Sequence, residues 1–293
     1  MSKKWLRRYV SACLVIFLVT MAGTEAKAQF SFEKHQALRK AEVGVYKLKK
    51  GRKNYGYATF LWRGRSKGKL KAKYFASGNT YKTFKSWRKG KDVVLISSGG
   101  YSTGFSHKSE PVGICVDNGK IVNRRIEDDK DALVIVEAAG GVRVSDIDKC
   151  DLNLASIGKT ICPRDDKTRL LNWGVNENAT VFQSHLLAFK NQLRINATQS
   201  SQKSTTRRFL VLGFRNGELF HAIFNVDKEM TLYDAADNAL KAMSKMNVIS
   251  IVNLDTGGND IYEVYDDDKS KLRYMMGEAE PRDATNLLVY YYE

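Results

Sequence analysis

Two stretches decide how this chain is read: Val248-Ile-Ser-Ile-Val-Asn-Leu-Asp-Thr-Gly-Gly-Asn259 and Val93-Val-Leu-Ile-Ser-Ser-Gly-Gly-Tyr101. Each opens as a nearly continuous run of apolar, mostly β-branched residues, the pattern of a strand buried on both faces. Each then runs straight into a Gly-Gly pair. Glycine lacks Cβ, so such a pair admits positive φ and leaves bare backbone N–H groups that a ligand can approach. In the first stretch an amide, Asn253, and a carboxylate, Asp255, stand at the same strand end. One Gly-Gly pair after a strand is ordinary turn chemistry. Two in one chain, one of them led by Asn-Leu-Asp, point to a site.

Working outward, the residues before Val248 predict a helix. Leu232, Ala235, Ala236, Ala239, Leu240, Met243 and Met246 recur at helical spacing, Thr231 is placed to cap the N-terminus with Asp234 three residues on, and Asn247 is placed to close it. That stripe reads as core. Asp117-Asn118-Gly119 and Arg215-Asn216-Gly217, each flanked by apolar runs, predict hairpins. Ala132–Val136 reads as a further strand. The expectation is an α+β protein with many short strands in mixed sheets and a few helices, forming a single domain. Its parts are an export signal over 1–28, a basic, aromatic-rich strand region over 29–81 and a core over 82–293.

The export signal rests on Lys3, Lys4, Arg7 and Arg8 before an apolar run from Val10 to Ala22, followed by Ala26-Lys27-Ala28 as a small-x-small cleavage site. The run falls short of the ~20 residues a membrane span needs. The mature chain is therefore expected outside the cytoplasm, periplasmic or extracellular. There, Cys150 and Cys162 either pair across a short polar loop or stay free, while Cys115, inside Val112–Val116, reads as a buried thiol.

The 293 residues carry 48 Lys and Arg against 32 Asp and Glu, a net charge of +16, with 43% hydrophobic residues. That excludes a disordered, collagen-like or coiled-coil chain. The charge is polarised: from Lys34 to Lys91 there are 19 basic residues and one acidic, interleaved with aromatics such as Tyr46, Phe60, Trp62 and Tyr74. This pattern serves either a solvated strand face that resists edge pairing or a surface for an anionic glycan or envelope polymer. Nucleic acid is not the expected ligand of an exported protein. There is no zinc-type Cys/His spacing, and Asp266-Asp267-Asp268 lacks the alternating ligands of a calcium loop, so neither a metal nor a cofactor is expected.

Taken in order from about Lys82 to Asp260, the chain resembles the phosphodiester glycosidase family, which includes the catalytic domain of the mannose-6-phosphate uncovering enzyme. Ser98-Gly99-Gly100-Tyr101 is similar to the family's N-G-G-F/Y element, and Pro111-Val112-Gly113 with Asp117-Asn118-Gly119-Lys120 to its P-x-G and D-G-K hairpin. Gln183-Ser184-His185-Leu186-Leu187, Arg208 with Asn216-Gly217, and Asn253-Leu254-Asp255-x-Gly257-Gly258 resemble the elements that follow, the last being the family signature. The chain departs at Ser98 for Asn, Leu186 for Pro, Leu212 for Gly, Thr256 for the first signature Gly and Asn259 for Ser. The Thr256 change is costly if that backbone needs positive φ.

The resemblance implies cleavage of the sugar C1–O bond of a sugar-1-phosphodiester or an envelope polysaccharide. A phosphate is a weakly basic leaving group, so such a site needs little acid catalysis; it must stabilise an oxocarbenium-like cation, place a water and hold the phosphate. The implied catalytic residues are Asp255 and Asn253. The implied substrate-binding residues are Arg208, Ser98, Gly99, Gly100, Tyr101, Thr256, Gly257 and Gly258. Read without the resemblance, Asp255 equally fits a turn-capping residue and Arg208 a surface charge. The alternative function is a non-catalytic relative that binds an anionic glycan through its basic face, with peripheral association at an envelope surface.

Overall fold

The structure is a computed structural model that describes residues 29–39, 42–63, 70–104, 109–196, 203–257, 260–266 and 271–293. The expected export signal, Gly258, Asn259, Asp267 and Asp268 lie outside the described residues. In chain order the elements begin with β1 (Phe30–Leu38), β2 (Val43–Lys50), β3 (Lys53–Trp62), β4 (Leu70–Phe75), α1 (Thr80–Trp87), β5 (Asp92–Ser97), β6 (Cys115–Asp117), β7 (Lys120–Asn123), β8 (Ala132–Val136) and β9 (Val142–Asp146). There follow β10 (Leu152–Leu154), β11 (Lys159–Ile161), α2 (Lys167–Asn176), β12 (Thr180–Ser184), β13 (Leu186–Phe189), β14 (Gln192–Leu193), β15 (Thr205–Arg215) and β16 (Glu218–Met230). The last are α3 (Leu232–Ala242), β17 (Asn247–Leu254), β18 (Tyr262–Asp266), β19 (Lys271–Met275) and β20 (Leu287–Tyr292).

The strands form an eight-stranded sheet in the order β1-β2-β3-β16-β15-β17-β13-β14 and two five-stranded sheets, β7-β6-β12-β8-β9 and β19-β18-β5-β20-β4. A β10-β11 ribbon completes the set. This corrects the expected fold class. The protein is mainly β, not α+β with mixed sheets, and each paired strand among the described residues is antiparallel. The physical reason is in the connections. A parallel pair needs a crossover of a dozen residues or more, usually a helix. Here the long neighbours β15 and β16 join through Asn216 and Gly217, with φ of 53° and 79°, and β6 and β7 through Asn118 and Gly119, with φ of 47° and 80°. Two left-handed residues in a row make the turn whose twist matches that of paired strands.

The helices are short and lie on the outer faces. α3 starts where expected, with Thr231 Oγ1 accepting from Asp234 N, but it ends at Ala242, and Asn247 opens β17 instead of closing the helix. The pairing of Asn247 with Phe214 in β15 outweighs one further helical turn. α1 was hidden in the basic stretch. Asn79 caps it by accepting from Lys82 N, and its buried Phe84 packs against Phe75 and Trp87.

Four apolar clusters order the layers. The largest, with Val45, Leu61, Leu210, Leu254, Val94, Tyr290, Val134 and Phe182, fills the space between the eight-stranded sheet and the two five-stranded ones. A second joins the other face of the large sheet to α3 through Phe60, Phe209, Ile251 and Ala236. The remaining two place α2 and α1 over the outer faces of the small sheets. The stretch 29–81 contributes to the large sheet through β1–β3 and to a small one through β4, so its aromatics are packing. Phe60 meets Phe32, Tyr46 and Phe220, and Tyr74 stacks on Phe182 at 4.4 Å between centroids. Cys150 and Cys162 are disulfide-bonded, and Cys115 is a buried free thiol that burial pushes up in pKa.

His221, on β16, faces the central core with Nδ1 3.2 Å from Tyr290 Oη. Burial, helped by the charge of Arg63, pushes its pKa down to about 3. Its unfolded value is about 6.5. A folded-state pKa below the unfolded one means the unfolded chain binds the extra proton, so the contribution of neutral His221 is whole above about pH 6.5 and is lost as pH falls. Asp227, raised by burial to about 6, has the opposite slope, so the informative quantity is a difference between proteins. Urea unfolding of wild type and His221→Leu at pH 7 and pH 5 should show wild type losing about 2 kcal/mol more than the variant over that interval. Equal losses would overturn the neutral buried imidazole.

Candidate functional site

Both Gly-Gly stretches come together where strand ends from the large sheet and both small ones meet. β5 and β17 finish side by side: Asp255 N donates to Gly99 O at 2.9 Å and Ser98 Oγ donates to Asp255 O at 2.6 Å. The chain crosses from a small sheet to the large one at His185, between β12 and β13. There, His185 O accepts from Asn253 N at 3.0 Å, and Ser184 Oγ bonds to Asn253 O.

Alternation along the strands then separates two neighbouring arginines. Leu210 and Leu254 pack in the core between the sheets, whereas Phe209 and Ile251 pack under α3. With a period of two, Arg208 shares the side of Leu210 and Leu254, and Arg207 and Asn253 share the other. Arg208 is fully buried. It donates through Nη1 to Ile261 O (2.7 Å) and Ser98 Oγ (3.3 Å) and through Nη2 to Asn225 Oδ1, pairs with Asp260 Oδ1 at 2.7 Å and stacks over Tyr262 at 4.8 Å. Burial lowers its pKa, against the pull of Asp260, and raises that of Asp260 against the pull of Arg208. Its Nη groups are thus occupied inside the fold.

On the Asn253 side, the Tyr101 hydroxyl accepts from Asn253 Nδ2, while buried Asn253 Oδ1 has no hydrogen-bond partner among the described residues. Burial pushes the Tyr101 phenol up to about 12, so it stays protonated at neutral pH. Lys130 Nζ lies 5.1 Å from the Tyr101 ring centroid, the His185 ring meets the Tyr101 ring edge-on at 5.4 Å, and Arg207 is electrostatically coupled to both Tyr101 and His185. Lys130 pairs with Asp129 at 3.0 Å. Burial first, then Lys130, holds His185 below the ordinary histidine value, with Asp129 opposing.

The glycines serve close packing more than unusual backbone. Neither Gly99 nor Gly100 has positive φ, and neither does Thr256, so the strain anticipated for that threonine does not arise. A Cβ on Gly99 would stand 2.4 Å from the Tyr74 ring and 2.8 Å from Asn286 Oδ1. Their amides are engaged: Gly99 N donates to Asn286 Oδ1 at 2.9 Å and Gly100 N to Tyr74 Oη at 3.3 Å. Gly257 N donates to Asp255 Oδ1 at 3.0 Å, an Asx turn, and Thr256 Oγ1 donates to Thr206 O. The structure therefore gathers Ser98, Gly99, Tyr101, Asn253, Asp255, Thr256 and Gly257, with Arg208 behind them.

Sequence reasoning missed Arg207, Lys130, Asp129 and His185. His185 stands within a quoted motif and so had a signal; the others sit in charged runs that carry none. Chemically the site offers a carboxylate, a neutral imidazole, a phenol and two cations. Among the described residues the one His/Cys/Asp/Glu group with ligand spacing is Cys150, Cys162 and Asp165, and its cysteines are spent in the disulfide.

Comparison with known proteins adds little. No protein-family model matches the chain, and no curated protein does. Among solved structures, the catalytic domain of zebrafish N-acetylglucosamine-1-phosphodiester alpha-N-acetylglucosaminidase, auto-inhibited by its pro-peptide, is 16% identical. Its TM-score is 0.49, over 90% of this chain and 88% of that one. A hypothetical protein from Synechocystis is 10% identical with a TM-score of 0.45, over 90% of this chain and 62% of that one. Likeness at this level is a distant one of chain path and says nothing of activity.

Gly99→Ala should cost about 1–3 kcal/mol, because the new methyl must displace a fully buried, stacked Tyr74. Gly100→Ala, whose nearest contact is 3.1 Å, should cost less. Urea unfolding of both variants measures this; a Gly99→Ala protein as stable as wild type would contradict the close approach.

Proposed function

We propose that the chain is a hydrolase that cleaves the glycosidic C1–O bond of a sugar-1-phosphodiester. The observation that carries this reading is the meeting of Asp255 with Asn253 and Tyr101 at the joined ends of β5 and β17. The order of motifs along the chain agrees with it. The partner class of this reading is a sugar phosphate or an anionic glycan, and the N-terminal sequence pattern supports an exported setting for it.

Each group has a task that its surroundings support. Asn253 Oδ1, buried and without a partner among the described residues, accepts a hydrogen bond from a sugar hydroxyl. Asn253 Nδ2 and Tyr101 hold one another, so the acceptor is oriented before substrate arrives. Asp255 lies in the same strand end, its Oδ1 fixed by Gly257 N. As C1–O cleaves, the bonding pair leaves with the phosphate oxygen and positive charge develops on C1 and the ring oxygen. A carboxylate beside that charge stabilises it. Water then adds to C1, and its proton passes to Asp255 acting as base. The phosphate departs as an anion and needs no acid of its own.

The test is sugar release from a panel of sugar-1-phosphodiesters. Asp255→Asn should lower turnover by about 10²–10⁴-fold while keeping the fold, judged by an unchanged unfolding midpoint. Undiminished turnover in a folded Asp255→Asn protein, or a wild type inert toward the whole panel, would count against this reading.

A further inference from the structure

The cations around Tyr101 have no part in the bond cleavage described above. Arg207 is only 8% exposed, and its guanidinium meets two backbone carbonyls, Met230 O at 3.2 Å and Lys203 O at 2.7 Å. No carboxylate pairs with it among the described residues. Lys130 is 7% exposed, and its partner Asp129 has a side chain 67% exposed, so water can take over that carboxylate. A buried guanidinium without a counter-ion is costly to hold. Planar Arg and compact Lys are also the residue types that bind phosphate oxygens best.

His185 completes the group. Tyr101, from the segment after β5, packs edge-on against its ring, and the charges that act on it are those of Lys130 and Asp129 from the β7–β8 connection and Arg207 from β15. Asp255 is the other carboxylate coupled to Tyr101. Burial and the two cations keep the imidazole neutral; an anion placed among them reverses the second of these causes. The family pattern assigns anion holding to Arg208, but Arg208 faces inward and is held by Asp260, Asn225 and Ile261. Its neighbour in sequence, Arg207, lies on the opposite face of β15, the one shared with Asn253, whose Nδ2 donates to Tyr101.

We propose that Arg207, Lys130 and His185 form an oxyanion cradle around Tyr101 that takes the phosphodiester group, and that His185 gains a proton as the anion binds. This deepens the reading above and rests on it for the place of the site, not for the reaction. Lys130 turns from Asp129 to the anion, and Asp129 remains in solvent. Because the anion favours the protonated imidazole, binding tightens as pH falls.

The experiment uses the Asp255→Asn protein and dimethyl phosphate, which has no glycosidic bond to cleave and keeps a single negative charge from pH 5 to 8. The His185 ring proton is followed by NMR and assigned by its loss in His185→Gln. A saturable shift is expected, with affinity about tenfold tighter at pH 5 than at pH 8. Arg207→Met and Lys130→Met should each weaken binding about tenfold or more, and Arg207→Lys should recover part of the loss, which separates charge from folding. A His185 signal that does not move, or moves equally with sodium chloride at matched ionic strength, overturns the cradle. So does binding indifferent to both methionine substitutions. Affinity that is constant with pH overturns the role of His185. Dimethyl phosphate binding beside a wild type that releases no sugar from the panel would remove the hydrolase reading and leave the cradle standing. Sugar release without such binding would do the reverse.

Discussion

The guanidinium of Arg208 is the tie on which the site depends. It extends from β15 in the large sheet and reaches Ser98 and Ile261, which flank two strands of a small sheet, while its Nη2 holds Asn225 of β16 and Asp260. One buried cation thus spans the space between two layers. Breaking a buried pair by removing one partner typically costs about 3–5 kcal/mol, because the other charge is stranded away from water. The effect would not stay local. Ser98 also donates to the Asp255 carbonyl, so the two strand ends that carry the Gly-Gly stretches share the same anchor.

Around that tie the fold solves a packing problem common to antiparallel sheets. The large sheet is apolar on both faces, one covered by the small sheets and the other by α3, and the small sheet that holds β5 is likewise apolar on both, facing the large sheet on one side and α1 on the other. Apolar on both faces means continuous hydrophobic runs instead of alternation, which is why Val93–Ile96 and Val248–Val252 are so easily read as strands. A group of polar exceptions stands at the strand ends. Asn253 and Tyr101, and Ser98 and Asp255, meet there through hydrogen bonds. Loop and strand-end residues held on a rigid sheet are a common place for chemistry, since the scaffold fixes their geometry in advance.

The glycines show how a correct motif can have a different physical cause. Gly99 follows a buried strand, as a ligand-cradling loop would, but its φ is not positive and its amide is engaged by Asn286. What it avoids is the ring of Tyr74. The requirement is lateral space, and it comes from β4, a strand contributed by the basic region far earlier in the chain. No local reading of Ser98-Gly99-Gly100-Tyr101 contains that information.

Elements whose signals are local could be read from the order of residues alone. The hairpins at Asn118-Gly119 and Asn216-Gly217 follow from left-handed turn chemistry, and the start of α3 follows from a threonine cap. The strands that lead into both Gly-Gly stretches follow from unbroken apolar runs, and Asn253 and Asp255 stood out because they end such a run. Local signals did not decide the fold class, since strand direction depends on which distant strand pairs with which, and antiparallel neighbours such as β4 and β20 are joined only in space. Tertiary structure alone decided between Arg207 and Arg208. Adjacent residues on a strand face opposite ways, and which way becomes the interior is set by the layers above and below. That choice placed Arg208 between the sheets as a structural tie and left Arg207 on the other face of β15, the one shared with Asn253.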